Sequence, residues 1–163
     1  MFRPFWNQLE LLITAPSVVS THTPQESGVA PTTTYAGGCL CGQVRYRISG
    51  PFHQFHLCHC SRCQRFSGTA HAANLIAAAD ALEWLKGEDQ VRRFDLPEAK
   101  SFSRAFCVQC GSMVPHEKRD GSGVIVPAGG LDQTPDLDPN DHIFYADRAG
   151  WYDTGLGAKK YDG

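Results

Sequence analysis

The chain has 163 residues, of which 42% are hydrophobic and 20% charged, with a formal net charge of −2 at pH 7. This length suits one ordinary domain, and without a basic excess we expect no nucleic-acid partner. No apolar run reaches the ~18 residues that a membrane-spanning helix needs, so we expect a protein that does not bind membranes.

Residues 1–34 differ from the rest of the chain. Phe5 to Ile13 is locally apolar and could form a short amphipathic helix, but Glu10 interrupts it, which argues against a secretory signal. The stretch that follows is mostly Ser, Thr, Pro, Ala and Val, a composition that buries too little surface to order itself. We predict a poorly ordered leader over 1–34, a domain over 35–163 and a cytoplasmic location.

After the leader, short segments with alternating or apolar character predict strands rather than helices. In chain order these segments are Gln43–Ile48, Phe52–Leu57, Thr69–Ala78, Leu82–Gly87, Val91–Leu96, Ser101–Val108, Met113–His116, Val124–Val126 and His142–Tyr145. One helical turn is predicted over Ser61–Phe66, and Trp151-Tyr152 is expected to pack back on the core. The predicted class is mainly β.

Seven cysteines form three tight clusters, Cys39-Leu-Cys41, Cys58-His-Cys60-Ser-Arg-Cys63 and Cys107-Val-Gln-Cys110. Short gaps of this kind aim several sulfurs at one point, as a tetrahedral zinc ion requires. A disulfide framework is the alternative, but seven thiols leave one unpaired. A bridge between Cys39 and Cys41 would also close a very small, strained ring. Reduced, metal-ligating thiols are the better interpretation.

The first and last clusters are suited to share one ion. Cys107-x-x-Cys110 followed by Gly111 is typical of a zinc-knuckle turn, because glycine tolerates the backbone angles involved. Cys39 and Cys41, if extended, point to the same side of the chain. Together they predict a four-cysteine structural zinc site, although the first pair could instead share an ion with two of the central thiols.

The central triple Cys58, Cys60 and Cys63 would leave one zinc position open to water or substrate. In the alternative, a histidine such as His56 or His59 closes the site. Three thiolates make zinc a weaker Lewis acid for water but suit it to hold a substrate thiol as thiolate. We therefore expect two zinc ions per chain, with Cys58, Cys60 and Cys63 as ligands of a catalytic one.

Two arginines follow the triple closely in the sequence. Arg62 and Arg65 could offset the extra negative charge of the thiolates or bind a substrate carboxylate. Alternatively, they form a solvated surface pair.

Three segments resemble the glutathione-dependent formaldehyde-activating enzyme family, which also includes centromere protein V. They are Gly37-Gly-Cys-Leu-Cys-Gly-Gln-Val-Arg-Tyr46, Cys58-His-Cys-Ser-Arg-Cys63 and Phe106-Cys-Val-Gln-Cys-Gly-Ser112. The resemblance runs from about Tyr35 to Tyr161. Many members carry a basic pair after the central triple, where this chain has Gln64-Arg65.

The resemblance implies a β-tent fold of several small antiparallel sheets stapled by zinc. It implies a structural zinc at the first and last cysteine clusters and a catalytic zinc at Cys58, Cys60 and Cys63. It also implies a carbon–sulfur lyase that joins glutathione to formaldehyde. Two other functions stay open, a non-enzymatic binding module with both zinc sites closed and, more remotely, a redox sensor with metal-free central thiols.

Overall fold

The computed structural model of the protein describes residues 33–162, which form three small β-sheets with short helices between them. The first sheet contains β1 (Thr34–Gly38), β2 (Arg45–Ser49) and β5 (Leu82–Lys86). The second, in spatial order, contains β11 (Asp141–Ile143), β3 (Gln54–Cys58), β4 (Ala72–Ala77), β10 (Val124–Pro127) and β9 (His116–Glu117). The third contains β6 (Val91–Asp95), β7 (Ser103–Cys107) and β8 (Met113–Val114).

Two α-helices and three 3₁₀ turns complete the described residues. The helices are α1 (Ser61–Ser67) and α2 (Tyr152–Leu156), and the turns are Glu88–Gln90, Ala128–Gly130 and Tyr145–Asp147. No helix in this part of the chain is long and apolar enough to cross a membrane. The prediction of a mainly β protein built from several small antiparallel sheets is confirmed.

The core lies between the three sheets. Each sheet contributes fully buried side chains, among them Tyr46 from the first, Leu75 and Val126 from the second and Val114 from the third. In β2 the alternation of the sequence is reproduced, because Tyr46 and Ile48 point inward while Arg47 faces solvent. One shared core therefore joins the three sheets.

β1 was not predicted, because glycine has low strand propensity and the strand ends in Gly37-Gly38. The structure shows why glycine is needed there. A Cβ atom on Gly37 would meet the carbonyl oxygen of Gly130 and the ring of Tyr46, both at 2.5 Å. The strand exists because its backbone packs directly against neighbouring residues.

The C-terminal segment departs from the prediction in three ways. The strand predicted over His142–Tyr145 is β11, which pairs with β3 in parallel and gives way at Phe144, with φ of 55°, to a 3₁₀ turn. Tyr152 is buried as expected, but Trp151 is 59% exposed, so half of that prediction is wrong. Helix α2 was not anticipated, whereas the helical turn after Cys60 is confirmed as α1.

The predicted leader over 1–34 lies outside the described residues except for Thr33 and Thr34. Thr34 is the first residue of β1, where it pairs with Ser49. The carbonyl oxygen of Thr33 accepts a hydrogen bond from the backbone N–H of Gly50 at 2.7 Å.

Candidate metal centres

Four cysteines from two distant turns converge at one point. The sulfur atoms of Cys39, Cys41, Cys107 and Cys110 all lie within 4.8 Å of one another. Measured separations are 3.5 Å between Cys39 and Cys41 and 3.9 Å between Cys41 and Cys107. Four sulfurs at roughly 2.3 Å from one zinc ion, in tetrahedral geometry, would lie about 3.8 Å apart. This four-cysteine group therefore fits a zinc ion.

The first pair of this group is placed by the reversal between β1 and β2. The backbone N–H of Cys39 donates to the carbonyl of Val44 at 3.1 Å, and the N–H of Val44 donates to the Cys39 sulfur at 3.2 Å. Leu40 and Cys41 lie in the turn itself. The expectation that Cys39 and Cys41 belong to an extended segment is therefore wrong, since the chain reverses at this point.

The second pair lies at the turn between β7 and β8. The N–H of Cys107 donates to the carbonyl of Ser112 at 2.9 Å, and Gly111 adopts the left-handed φ of 72° that the predicted knuckle turn requires. The Ser112 hydroxyl lies 3.3 Å from the Cys110 sulfur and accepts a hydrogen bond from Leu40 N–H. Hydrogen bonds from Ser112 lower the pKa of Cys110 to about 5, which favours the thiolate a metal binds.

The remaining three cysteines form a second, local group. Cys58 ends β3, Cys60 is the N-cap of α1, and Cys63 lies in the first turn of that helix. Their sulfurs also lie within 4.8 Å of one another, with 3.7 Å between Cys58 and Cys60. Cys58 and Cys63 are buried and Cys60 is half-buried. These separations fit three positions of a tetrahedral zinc ion and leave one position without a cysteine.

Hydrogen bonding also distinguishes the three thiols. The Cys63 thiol lowers the pKa of Cys58 to about 6 by hydrogen bonding to it, and the charge of Arg104 adds to this effect. The pKa of Cys63 is raised by the same hydrogen bond and by burial. The backbone N–H of Cys63 donates to the Cys60 sulfur at 3.4 Å. Cys58 is therefore the thiol whose deprotonation these contacts favour, while those around Cys63 oppose it.

Neither histidine considered as a fourth ligand points at the three sulfurs. His56 Nδ1 lies 2.5 Å from Asp141 Oδ1, and His59 Nε2 lies 2.9 Å from His142 Nδ1. The buried His59 ring also packs against His71, with ring centres 5.2 Å apart. Among residues 33–162, no histidine or carboxylate completes the three-cysteine group.

The cation beside the three-cysteine group is Arg104, which the sequence analysis missed. This residue of β7 is 5% exposed, and its Nη2 lies 2.9 Å from the Cys63 sulfur. Arg62 and Arg65, the arginines that were considered, are exposed, and neither forms a hydrogen bond to a cysteine within the described part of the chain. The one signal in the sequence was a charged residue inside the otherwise uncharged stretch 101–106 that precedes Cys107.

Gln64, which directly follows Cys63, holds in place the helix that carries Cys60 and Cys63. Its amide donates to the carbonyl of His59 and, at 2.9 Å, to that of Asp147. A glutamine at this position therefore ties α1 to the segment after β11.

A cleft of about 520 Å³ lies beside the four-cysteine group. On one side it is lined by Cys39 and Ser112 of the four-cysteine turns, and on the other by Thr69, His71 and Ala72. Ala72 packs against Cys58 and Cys63. The cleft is large enough for a small peptide or metabolite.

Two known proteins are similar to this chain. A Halomonas elongata protein named after the glutathione-dependent formaldehyde-activating enzymes is 42% identical over 48 residues, which is 28% of this chain and 31% of that protein's length. A crystal structure of a Rhodobacter sphaeroides protein matches with a TM-score of 0.51 at 21% identity. That match covers 66% of this chain and 98% of the other, and it supports the fold alone.

A family model gives the broadest match. The model described as glutathione-dependent formaldehyde-activating enzyme matches residues 34–147, a range that includes all seven cysteines. On this match the chain belongs to the glutathione-dependent formaldehyde-activating enzyme family.

Proposed function

We propose that the protein is a zinc-dependent enzyme of the carbon–sulfur lyase type that acts on a thiol adduct of formaldehyde or another small aldehyde. Glutathione is the proposed thiol, because the family is described by its dependence on glutathione. The observation that carries the proposal is the three-cysteine group, which offers three sulfurs to one ion and, among the described residues, no fourth ligand. An open position of this kind distinguishes catalytic from structural zinc sites.

The two cysteine groups have different proposed roles. Cys39, Cys41, Cys107 and Cys110 would hold a structural zinc ion, since four sulfurs close its coordination sphere. Cys58, Cys60 and Cys63 would hold a second, catalytic one. The proposed content is therefore two zinc ions per chain.

The chemistry follows from the charge of the three-cysteine group. A zinc ion held there by three thiolates has a net charge of −1 and would stabilise a bound thiol in its deprotonated, nucleophilic form. In the forward direction the glutathione sulfur bonds to the formaldehyde carbon, and the carbonyl oxygen takes a proton to give S-hydroxymethylglutathione. In the reverse direction the same carbon–sulfur bond breaks, so no oxidant or reductant is needed.

The chain's own residues keep this group in place while substrate approaches. Cys58 and Cys63 are buried on the inner side, while the half-buried Cys60 lies nearer to solvent. Gln64 holds α1 against the segment after β11, which limits movement of the helix that carries two of the three sulfurs. The substrate would therefore approach from the side of Cys60.

The test combines metal analysis with one substitution. Replacing Cys60 by Ser should remove one of two zinc ions and reduce the rate with glutathione and formaldehyde by more than about 100-fold, because a metal ligand is lost. Ser61→Ala, a change at an exposed position of the same turn, is the matched control and should leave zinc content and rate unchanged. X-ray absorption of the purified protein should show sulfur ligands and no histidine nitrogen, and the number of sulfurs per zinc should rise when glutathione is added.

The binding-module alternative makes the opposite prediction. A spectrum with mixed sulfur and nitrogen ligands that millimolar glutathione does not change would mean that a histidine closes the second site. The enzyme proposal would then be wrong, and a zinc-stapled binding module would replace it.

A further inference from the structure

Arg104 is a buried cation in the middle of β7. Its guanidinium donates from Nη2 to the Cys63 sulfur at 2.9 Å and from Nη1 to the carbonyl of Ser103 at 3.0 Å. The guanidinium carbon also lies 4.8 Å from the centre of the Phe102 ring. These contacts hold the charge in one orientation, directed at the three-cysteine group.

No carboxylate neutralises this arginine within residues 33–162, because the ion pairs found there involve other residues. A buried arginine without an acidic partner is costly and therefore uncommon. The neighbouring His116 cannot balance the charge, because a histidine is either neutral or cationic, and burial keeps this one neutral at pH 7 by lowering its pKa to about 4. The balancing negative charge must therefore come from the three-cysteine group, whose Cys63 sulfur contacts the guanidinium.

We propose that Arg104 is a positioning residue that enables the three-cysteine metal to accept an anionic substrate thiolate. The inference rests on the proposed function, because it concerns the fourth position of that metal. Three thiolates on a zinc ion leave a charge of −1, and a fourth thiolate raises this to −2 in a partly buried place. The guanidinium brings the total back to −1 and so lowers the cost of binding the substrate.

The hydrogen bond itself acts in the same direction. An N–H group that donates to a ligand sulfur withdraws electron density from that sulfur, so less negative charge reaches the metal. The metal then attracts the incoming thiolate more strongly. Because the donor comes from β7 and the acceptor from α1, the effect depends on how these two elements are packed and not on the cysteine motif alone.

The experiment measures thiol binding without turnover. In the cobalt(II)-substituted protein, sulfur-to-cobalt absorption is titrated with glutathione in the absence of aldehyde, and the change reports occupation of the open position. Arg104→Met removes the charge and should raise the Kd for glutathione at least about tenfold, because an opposite charge at this distance stabilises an anion by one to three powers of ten. Arg104→Lys should restore most of the affinity, since it keeps the charge.

Arg65→Met is the matched control, because it removes the same charge from an exposed position on α1. Its Kd should stay within about twofold of wild type, since water and salt screen that charge. If Arg104→Met does not fold, as judged by its thermal melt, Arg104→Gln replaces it as the neutral variant that retains hydrogen-bonding capacity.

The outcomes separate this inference from the proposed function. A wild-type protein whose cobalt spectrum does not respond to glutathione contradicts both. A wild type that binds glutathione, with a neutral Arg104 variant binding within twofold of it, overturns the role of Arg104 and leaves the proposed function intact. The role is also overturned if Arg104→Lys binds as weakly as the neutral variant, because charge would then not be the cause.

Discussion

The two cysteine groups contain similar ligands but differ in how far apart those ligands lie along the chain. The four-cysteine group joins the turn after β1 to the turn after β7, and Cys41 and Cys107 are 66 residues apart. The three-cysteine group spans only Cys58 to Cys63. Closing a long loop restricts the unfolded chain strongly, whereas a local cluster restricts it little. On the proposed roles, the spacing of the ligands along the chain separates the site that stabilises the fold from the site whose coordination can change.

The two cysteine groups also differ in the residues that surround them. The four-cysteine turns are held by backbone hydrogen bonds, such as those joining Cys39 with Val44 and Cys107 with Ser112. The three-cysteine group lies beside a buried charge, Arg104, and next to the buried His59. Buried polar and charged groups reduce stability unless they are fully paired. On the proposed roles, the first group needs only the stability that its turns provide, while the second accepts a cost in stability that a structural site would not need.

The largest expected effect tests this difference directly. Cys107→Ser should lose the structural zinc and unfold the domain, because such an ion contributes folding free energy on the order of 10 kcal/mol. Cys60→Ser should keep a cooperative thermal melt, since its group closes no long loop. Zinc content and the melting transition of both purified variants provide the measurement.

The comparison fails if the two variants behave alike. A Cys107→Ser protein that melts cooperatively near the wild-type temperature would remove the structural role from the four-cysteine group. An unfolded Cys60→Ser protein would assign such a role to the three-cysteine group as well.

A second, intermediate effect concerns His116, which lies near Arg104 and has neither ring nitrogen hydrogen-bonded. Burial lowers its pKa from 6.5 to about 4, and the charges of Arg104 and Arg93 contribute. The folded state therefore keeps His116 neutral, while the unfolded state binds a proton below pH 6.5. As the pH falls from 6.5 towards 4, the free energy of unfolding should fall by about 3 kcal/mol through this residue alone.

His116→Leu removes the titrating group and should flatten the pH dependence of stability over this range. Urea denaturation of wild type and variant at several pH values, with zinc content checked at each, measures the difference. Equal slopes for the two proteins would show that His116 does not resist protonation in the folded state. A variant at least as stable as wild type at pH 7 would agree with the cost of an unpaired buried histidine.

The smallest effect is expected from the N-terminal segment. A protein that begins at Thr33 keeps the hydrogen bond between Thr33 and Gly50, and it retains every cysteine. Its melt and zinc content should match those of the full chain, because the removed residues supply no ligand. Loss of solubility would show instead that Phe5, Trp6 and Leu9 cover an apolar surface.

The strands and the two cysteine groups could be predicted because their signals are local. Alternation in Arg45–Ser49 and short gaps between cysteines follow from strand and turn geometry, whatever the rest of the chain does. The spacing of apolar residues in the segment that contains β4 was compatible with a strand or a helix. The glycine before the segment and the short elements after it favoured a strand, which the structure confirms.

What could not be predicted depends on contacts between distant segments. Arg104 is on the opposite face of β7 from Cys107, and it is buried there beside Cys63 of α1 and the ring of Phe102. Strand β1 could not be predicted because glycine is rare in strands. Glycine is needed there because Tyr46 and Gly130 lie too close to the backbone of Gly37 for a side chain to fit. Arg62 and Arg65 drew attention by proximity in sequence, yet helix α1 directs both outward.

Strand β7 serves both centres, since Cys107 belongs to the four-cysteine group and Arg104, three residues earlier, contacts Cys63. On the proposed roles, a molecule that loses its structural ion also loses the alignment of the charge beside its reactive one. We therefore expect filling of the two centres to be ordered. When zinc is scarce, we expect the protein to consist mainly of active molecules with both zinc ions and of inactive molecules. Few molecules should have intermediate activity.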